Sequence, residues 1–197
     1  MESIVHELPE GAICELFPTF LERPRADAVH EALLGEVPWR AHVIRIFGRE
    51  VPEPRLSAWL GEPHAVYAYS GVTNRPEPWT ETLAALRQEL LERLALPFDS
   101  VLANLYRNGQ DSMGFHSDDE PELGREPVIA SISLGATRRF QIRHKRGAKR
   151  GKLDLELGHG SLLVMRGTMQ ERYRHGVPKD PRVTEARVNL TFRRIVG

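Results

Sequence analysis

Lys152-Leu153-Asp154-Leu155-Glu156-Leu157 alternates charge and leucine at every step. A strand turns successive side chains to opposite faces, so the leucines share one face and the charges share the other. The same period of two recurs near residues 101–107, 128–134, 138–144, 161–166 and 186–195, in short segments bounded by Gly, Pro, Asn or Asp. This half shows no helix long enough for the crossover that parallel strands need. An antiparallel sandwich or jelly roll is the closure this half predicts. Before Pro97 the period is mixed. Leu83, Leu86, Leu90 and Leu94 recur at helical spacing behind Thr80, a capping residue, which predicts a helix over 80–94. A second helix is predicted over 25–34, between Pro24 and Gly35. The fold class is therefore α+β.

A chain of 197 residues suits one domain. Lys plus Arg and Asp plus Glu number 27 each, so no global charge announces nucleic acid or a disordered acidic chain. No apolar run approaches the roughly 18 residues a membrane span needs. Glu2 and Glu7 stand where a signal peptide would carry basic residues. Cys14 is the only cysteine, which excludes an internal disulfide and a Cys-based zinc cluster. These features lead us to expect a cytoplasmic protein in a reducing compartment, without membrane contact; a monomer is the expected form, though the sequence leaves oligomeric state open.

His116-Ser117-Asp118 places an imidazole and a carboxylate two residues apart, on one face if the segment is a strand. In a chain with 8 histidines and 27 acids one such pair is expected by chance, and Asp118-Asp119-Glu120-Pro121 also reads as a solvated turn. His175 supplies a third ligand. Two histidines and a carboxylate make a facial triad that leaves three positions open on Fe(II), although zinc can use a similar set.

Arg187-Val188-Asn189-Leu190-Thr191-Phe192-Arg193 divides into an apolar face and a face of Arg187, Asn189, Thr191 and Arg193. That polar face either meets solvent or encloses an anion. Two planar guanidinium forks match a dicarboxylate. Asn104 and Tyr106 share a face in the strand before the His/Asp pair. A metal with open positions beside a dicarboxylate site points to 2-oxoglutarate, chelating iron at two positions and leaving one for O2.

Five blocks in order carry a family resemblance. They are Phe98 to Gly109, His116 to Pro121, Ile129 to Gly135, His175 to Lys179, and Arg187 to Arg193. The chain resembles the AlkB family of Fe(II)/2-oxoglutarate-dependent dioxygenases, which reverse alkylation damage on nucleic-acid bases. The similarity runs from about Val43 to Ile195. It implies a double-stranded β-helix (jelly-roll) core over about 98–197, with N-terminal helices and a nucleotide-recognition lid over about 1–97. It implies that His116, Asp118 and His175 hold Fe(II), and that Asn104, Tyr106, Arg187, Asn189, Thr191 and Arg193 form the 2-oxoglutarate site. The implied partner is alkylated DNA, with RNA also open, and the implied reaction is oxidative demethylation of 1-methyladenine- and 3-methylcytosine-type bases. Formaldehyde, succinate and carbon dioxide are its products.

By the same resemblance Tyr69 stacks on an extruded base, Tyr67 lines its pocket, and Asp119 and Glu120 meet the cationic lesion. Read without it, Tyr67 and Tyr69 are core aromatics of one strand. Phe47, before Gly48, matches a tip that wedges into the duplex, and also fits ordinary hairpin packing. Residues 138–152 hold eight Lys or Arg and no acid, which is either a phosphate-binding hairpin or a solvated face. Two rival functions share this pattern: the same chemistry on a protein side chain or small molecule, and a non-catalytic jelly roll that binds nucleic acid.

Overall fold

Strands dominate, as the period of two requires. The computed structural model describes residues 2–46, 49–69 and 72–196. In chain order β1 (Ile4–Leu8) and β2 (Ala12–Phe17) precede α1 (Arg23–Glu36). Then β3 (Val43–Ile46), β4 (Arg49–Pro52), β5 (Leu56–Gly61), β6 (Tyr67–Tyr69) and β7 (Val72–Asn74) lead to α2 (Glu81–Leu94). The second half holds β8 (Ser100–Tyr106), β9 (Met113–His116), β10 (Ile129–Gly135), β11 (Arg138–His144), β12 (Lys152–Leu157) and β13 (Ser161–Gly167). A single turn, α3 (Met169–Arg172), separates these from β14 (Tyr173–Val177) and β15 (Arg187–Arg193).

Two antiparallel sheets form a jelly roll. The larger runs β1-β2-β13-β10-β15-β8-β5 and the smaller runs β12-β11-β14-β9. Hairpins β3–β4 and β6–β7 stand apart as two-stranded sheets. The sequence places the core strands after Phe98, yet β1, β2 and β5 extend the larger sheet on both sides. β2 pairs with β13 and β5 with β8, strands whose edges would otherwise present unpaired backbone, and β1 adds to β2.

Helix α2 forms where apolar spacing places it, and α1 covers the segment read between Pro24 and Gly35, extending over both. Thr80 caps α2, its Oγ1 accepting from the Leu83 N–H at 3.3 Å. Helix α1 continues past Gly35 to Glu36, whose carboxylate accepts from the Thr82 hydroxyl (2.8 Å) and N–H (3.3 Å) at the start of α2. That tie joins the end of one helix to the beginning of the next. Val29, Leu33, Leu83, Leu86 and Leu90 pack on the side of the larger sheet that carries Val188, Leu190 and Phe192. The other side faces the smaller sheet across a second core that includes Leu163, Phe140, Ile142, Leu157 and Tyr173. The alternation of β15 is thus resolved: its apolar residues lie under the helices and its polar ones lie between the sheets.

At one end of the roll two loops meet backbone to backbone. Gly109 donates its N–H to Val183 O and accepts from Asp180 N–H, both at 2.8 Å. A Cβ at position 109 would lie 1.7 Å from Asp180 O and 2.9 Å from Val183 O. Gly109→Ala must therefore force the loops apart, and we expect a loss of about 1–3 kcal/mol, the usual range for overpacking. Calorimetric unfolding checks this: a wild-type Tm in Gly109→Ala would show that the loops separate freely.

Candidate metal centre and anion pocket

Neither face of β15 reaches solvent, because β10 and β8 flank it and a layer covers each side. Arg187, Asn189, Thr191 and Arg193 are 1, 7, 8 and 4 % exposed. Of the two readings of the polar face, solvent or enclosed anion, solvent is removed. Register then brings the predicted groups together: Arg187 lies opposite Tyr106, and Asn189 opposite Asn104. The Arg187 Nη2 donates to Ser133 Oγ at 2.9 Å, and its guanidinium carbon lies 5.1 Å from the Tyr106 ring centre. Its Nε and Nη1 are buried and donate to nothing. Among the described residues no carboxylate lies within 4.0 Å of it. Burial pulls its pKa below the usual arginine range, Tyr106 opposes that pull and Arg138 adds to it. A buried cation with two idle donors is a site for an anion.

Asn189 and Thr191 brace this arrangement. Asn189 Nδ2 donates to Ser131 Oγ (2.8 Å) and Ile132 O (3.0 Å), while its Oδ1 accepts from Thr191 Oγ1 (3.3 Å). Asn104 is held differently. Arg55 Nε donates to Asn104 Oδ1 at 2.7 Å, and Arg55 Nη2 pairs with Glu53 at 3.2 Å, both side chains being buried. With its oxygen engaged, the Asn104 amide keeps its N–H donors for another partner. Arg55 carries no signal in the sequence, because only the pairing of β5 with β8 brings it beside Asn104.

Beside this pocket stands the triad. One ligand atom from each of His116, Asp118 and His175 lies within 4.8 Å of the others. Strand β9 ends at His116, so Asp118 does not reach the site by strand alternation. Its backbone N–H is held by Gln170 Oε1 of α3, at 3.0 Å. The carboxylate is 1 % exposed, not solvated as the run of acids suggested. Arg193 Nη2 donates to Asp118 Oδ1, while Oδ2 accepts no hydrogen bond. The His116 Nδ1–H donates to Gly114 O at 3.0 Å, which fixes the tautomer and turns Nε2 free for a metal. His175 Nε2 lies 3.6 Å from Asp118 Oδ2.

Protonation suits a metal as well. Burial pushes the His175 pKa down to about 3, His116 lowers it further, and Asp118 only partly opposes this. For Asp118, burial favours the neutral acid, but Arg193, His175 and His116 outweigh it and hold the carboxyl below its usual range. Neutral imidazoles and an ionised carboxylate are the forms that ligate. Two nitrogen donors and one oxygen donor, with an idle carboxylate oxygen between them, fit Fe(II).

The remaining predicted residues are less concentrated. Asp119 is exposed and its carboxylate pairs with Lys145 Nζ at 2.8 Å, while Glu120 is half-buried. Tyr67 and Tyr69 lie in β6, paired with β7, and the base pocket expected of their side chains lies outside the described part of the structure. Phe47 lies outside the described residues. The basic run is divided in use. Arg138 is buried, Arg143 pairs with Asp154, and Lys145 joins Asp119 to Gln170 O, leaving Arg139, Arg146, Lys149, Arg150 and Lys152 exposed. Arg138 could have been separated from the others in the sequence, since it shares strand parity with Phe140 and Ile142.

Known proteins agree with this geometry. A model of the 2OG-Fe(II) oxygenase superfamily matches residues 13–193. The chain is 42% identical over 188 residues to the alpha-ketoglutarate-dependent dioxygenase alkB homolog 3 of Bos taurus, covering 91% of this chain and 65% of that protein. It is 36% identical over 202 residues to the DNA oxidative demethylase ALKBH2 of Mus musculus, covering 97% of this chain and 83% of that protein. The solved structure of OsALKBH1 shares the fold, with a TM-score of 0.61 at 18% identity over 97% of this chain and all of that one. The chain thus spans just under two thirds of the alkB homolog 3 proteins, and a larger part of ALKBH2. The chain belongs to the AlkB family of the 2OG-Fe(II) oxygenase superfamily.

Proposed function

We propose that this chain is an Fe(II)/2-oxoglutarate-dependent dioxygenase that removes N-alkyl groups from nucleic-acid bases. One observation carries the reading: a metal-ready triad shares the space between the sheets with a buried guanidinium that has no anion of its own. A non-catalytic binder has no need of that second feature. In this reading His116, Asp118 and His175 hold iron, and Arg187 receives the distal carboxylate of 2-oxoglutarate. Asn104 and Tyr106 line the pocket, Asn189 and Thr191 stiffen it, and Arg193 holds Asp118. When bound, iron and 2-oxoglutarate supply an oxidant from O2, so that the N-alkyl carbon is hydroxylated and lost as formaldehyde while succinate and carbon dioxide leave.

The chain's own residues prepare the site. Gly114 O orients the His116 ring, Arg193 and Gln170 fix Asp118, and the apolar side chains of the inter-sheet core exclude water. Nucleic acid is favoured over a protein or small molecule by the exposed cations of the β11–β12 hairpin, which suit phosphates. Its relatives' names, alkB homolog 3 and DNA oxidative demethylase, support the same substrate class. We place the lid in hairpins β3–β4 and β6–β7, with Phe47 at a wedge and Tyr67, Tyr69, Asp119 and Glu120 around the lesion base. DNA is the proposed substrate, with RNA as a second one, and a cytoplasmic monomer is the proposed form.

Formaldehyde and succinate release test this on 1-methyladenine and 3-methylcytosine in single-stranded DNA, duplex DNA and RNA, side by side. The expected outcome is both products in equal amounts on methylated strands and neither on unmethylated ones. Asp118→Ala should stay folded and lose turnover even with iron in excess, because both charge and geometry of the ligand set go. Arg55→Met should raise the KM for 2-oxoglutarate about tenfold, the loss expected for one charge-assisted hydrogen bond. Its KM for the methylated strand should hold. A shift in the strand's KM alone would place Asn104 with the nucleic acid.

A further inference from the structure

Burial leaves a second cation at the anion pocket that the ligand sets above do not use. Arg138, the first residue of β11, is 2 % exposed and points between the sheets with Phe140 and Ile142. Its guanidinium carbon lies 5.6 Å from the centre of the Tyr106 ring, and that of Arg187 lies 5.1 Å from the same centre. Three backbone carbonyls fix it: Nη1 donates to Asn108 O at 3.2 Å, and Nη2 donates to Asp111 O at 2.9 Å and Pro178 O at 2.8 Å. Its Nε is buried and donates to nothing.

Carbonyl dipoles hold this charge without cancelling it. The nearest acids are engaged elsewhere. Both oxygens of Asp111 are taken by Arg107, at 2.8 Å each, and those of Asp180 by Arg182, at 2.9 and 2.8 Å. Arg138 and Arg187 therefore stand beside one phenol as two immobile positive charges with no counter-ion within 4.0 Å among the described residues. Each lowers the tolerance of the site for the other, and a negative group placed on the idle donors of Arg187 relieves both.

We infer that Arg138 is a positioning and specificity-determining residue for the distal carboxylate of the co-substrate, making the pocket select a dicarboxylate over a monocarboxylate 2-oxo acid. The inference rests on the reading of this pocket as the 2-oxoglutarate site. Because the charge is fixed in advance, it attracts a carboxylate without reorganising. It acts at the end of the ligand remote from the metal, so a ligand lacking that carboxylate should be indifferent to it.

That indifference separates electrostatics from mere bracing of the two loops. The test uses the full chain loaded with Mn(II), which holds the ligand without turnover, and calorimetry with two ligands of equal chain length. These are 2-oxoglutarate and 2-oxopentanoate, which carries a methyl in place of the distal carboxylate. Arg138→Gln keeps donors for the carbonyls and removes the charge, whereas Arg138→Lys keeps the charge. We expect Arg138→Gln to weaken 2-oxoglutarate about tenfold, as loss of one nearby charge in a screened interior implies. Binding of 2-oxopentanoate should change less than about twofold on the same reasoning. Arg138→Lys should restore most of the discrimination between the two ligands. Equal weakening of both ligands would make Arg138 a loop brace only and overturn the inference, as would unchanged binding of both. Should Arg138→Gln unfold, the ratio of the two affinities in Arg138→Lys decides, since a brace lost with its fork would lower both alike. If the wild-type protein binds 2-oxopentanoate as tightly as 2-oxoglutarate, the co-substrate reading itself falls, which the variants alone would not show.

Discussion

An arginine buried without a counter-ion is the constraint around which this chain is arranged. Arg187 opens an interior strand of the larger sheet, opposite Tyr106 on one side and Gly135 on the other. Burying an ionised group costs several kcal/mol unless partners replace water. Here the partners are partial: one serine oxygen and one aromatic face, with two donors idle. Residues beside it are themselves tied down, Asn189 to β10 and Asn104 to Arg55, so nothing nearby can swing in to satisfy it. A fold under pressure for stability alone would place an apolar residue here. Keeping the cation makes sense if an anion completes it.

The metal end obeys the opposite rule, since there every charge already has a neighbour. Arg193 holds Asp118 from one side and reaches over the Trp59 ring at 5.8 Å. This pairing keeps a fully buried carboxylate ionised, and the same burial keeps His175 neutral down to about pH 3. Asp118 and His175 are thus in the protonation states that bind a metal. Gln170 and Gly114 O orient Asp118 and His116, and neither residue touches the site with a charged group. Two ends of the space between the sheets therefore differ in kind: at one, charges are balanced around Asp118, and at the other Arg187 is unbalanced.

Much of this was legible because strand parity is a local property. The segments at 138–144 and 152–157 coincide with β11 and β12, and the two faces of β15 are as the alternation placed them. What parity cannot supply is the environment of each face. Whether Arg187 met water or a second sheet depended on β8, β10 and the smaller sheet facing them, none of which is encoded near it. Strand β9 escaped because Met113-Gly114-Phe115-His116 neither alternates nor carries β-branched residues. Strand alternation therefore does not explain how Asp118 comes beside His116; an irregular segment whose Asp118 N–H is held by Gln170 brings it there. Arg55 and Gln170 had no signal at all. Their roles come from contacts between segments far apart in the chain, which a single sequence does not display.

The basic run shows how one charge pattern can hold several meanings. Eight cations in fifteen residues read as one surface, yet the fold sorts them by where each strand turns its side chains. Arg138 goes inward to the anion pocket, and Arg143 spends its charge on Asp154 of the neighbouring strand. Lys145 bridges Asp119 to Gln170 O, the residue whose side chain holds Asp118. Only the remaining cations are free to meet a phosphate backbone. The hairpin thus links three places at once: the far end of the anion pocket, the acid next to Asp118, and the outer surface. Strand β11 also pairs with β14, where Ile142 stands opposite His175, so the same strand borders the candidate metal centre. Charge density in the sequence marked the right segment, and the division of labour within it follows only from the direction of each side chain.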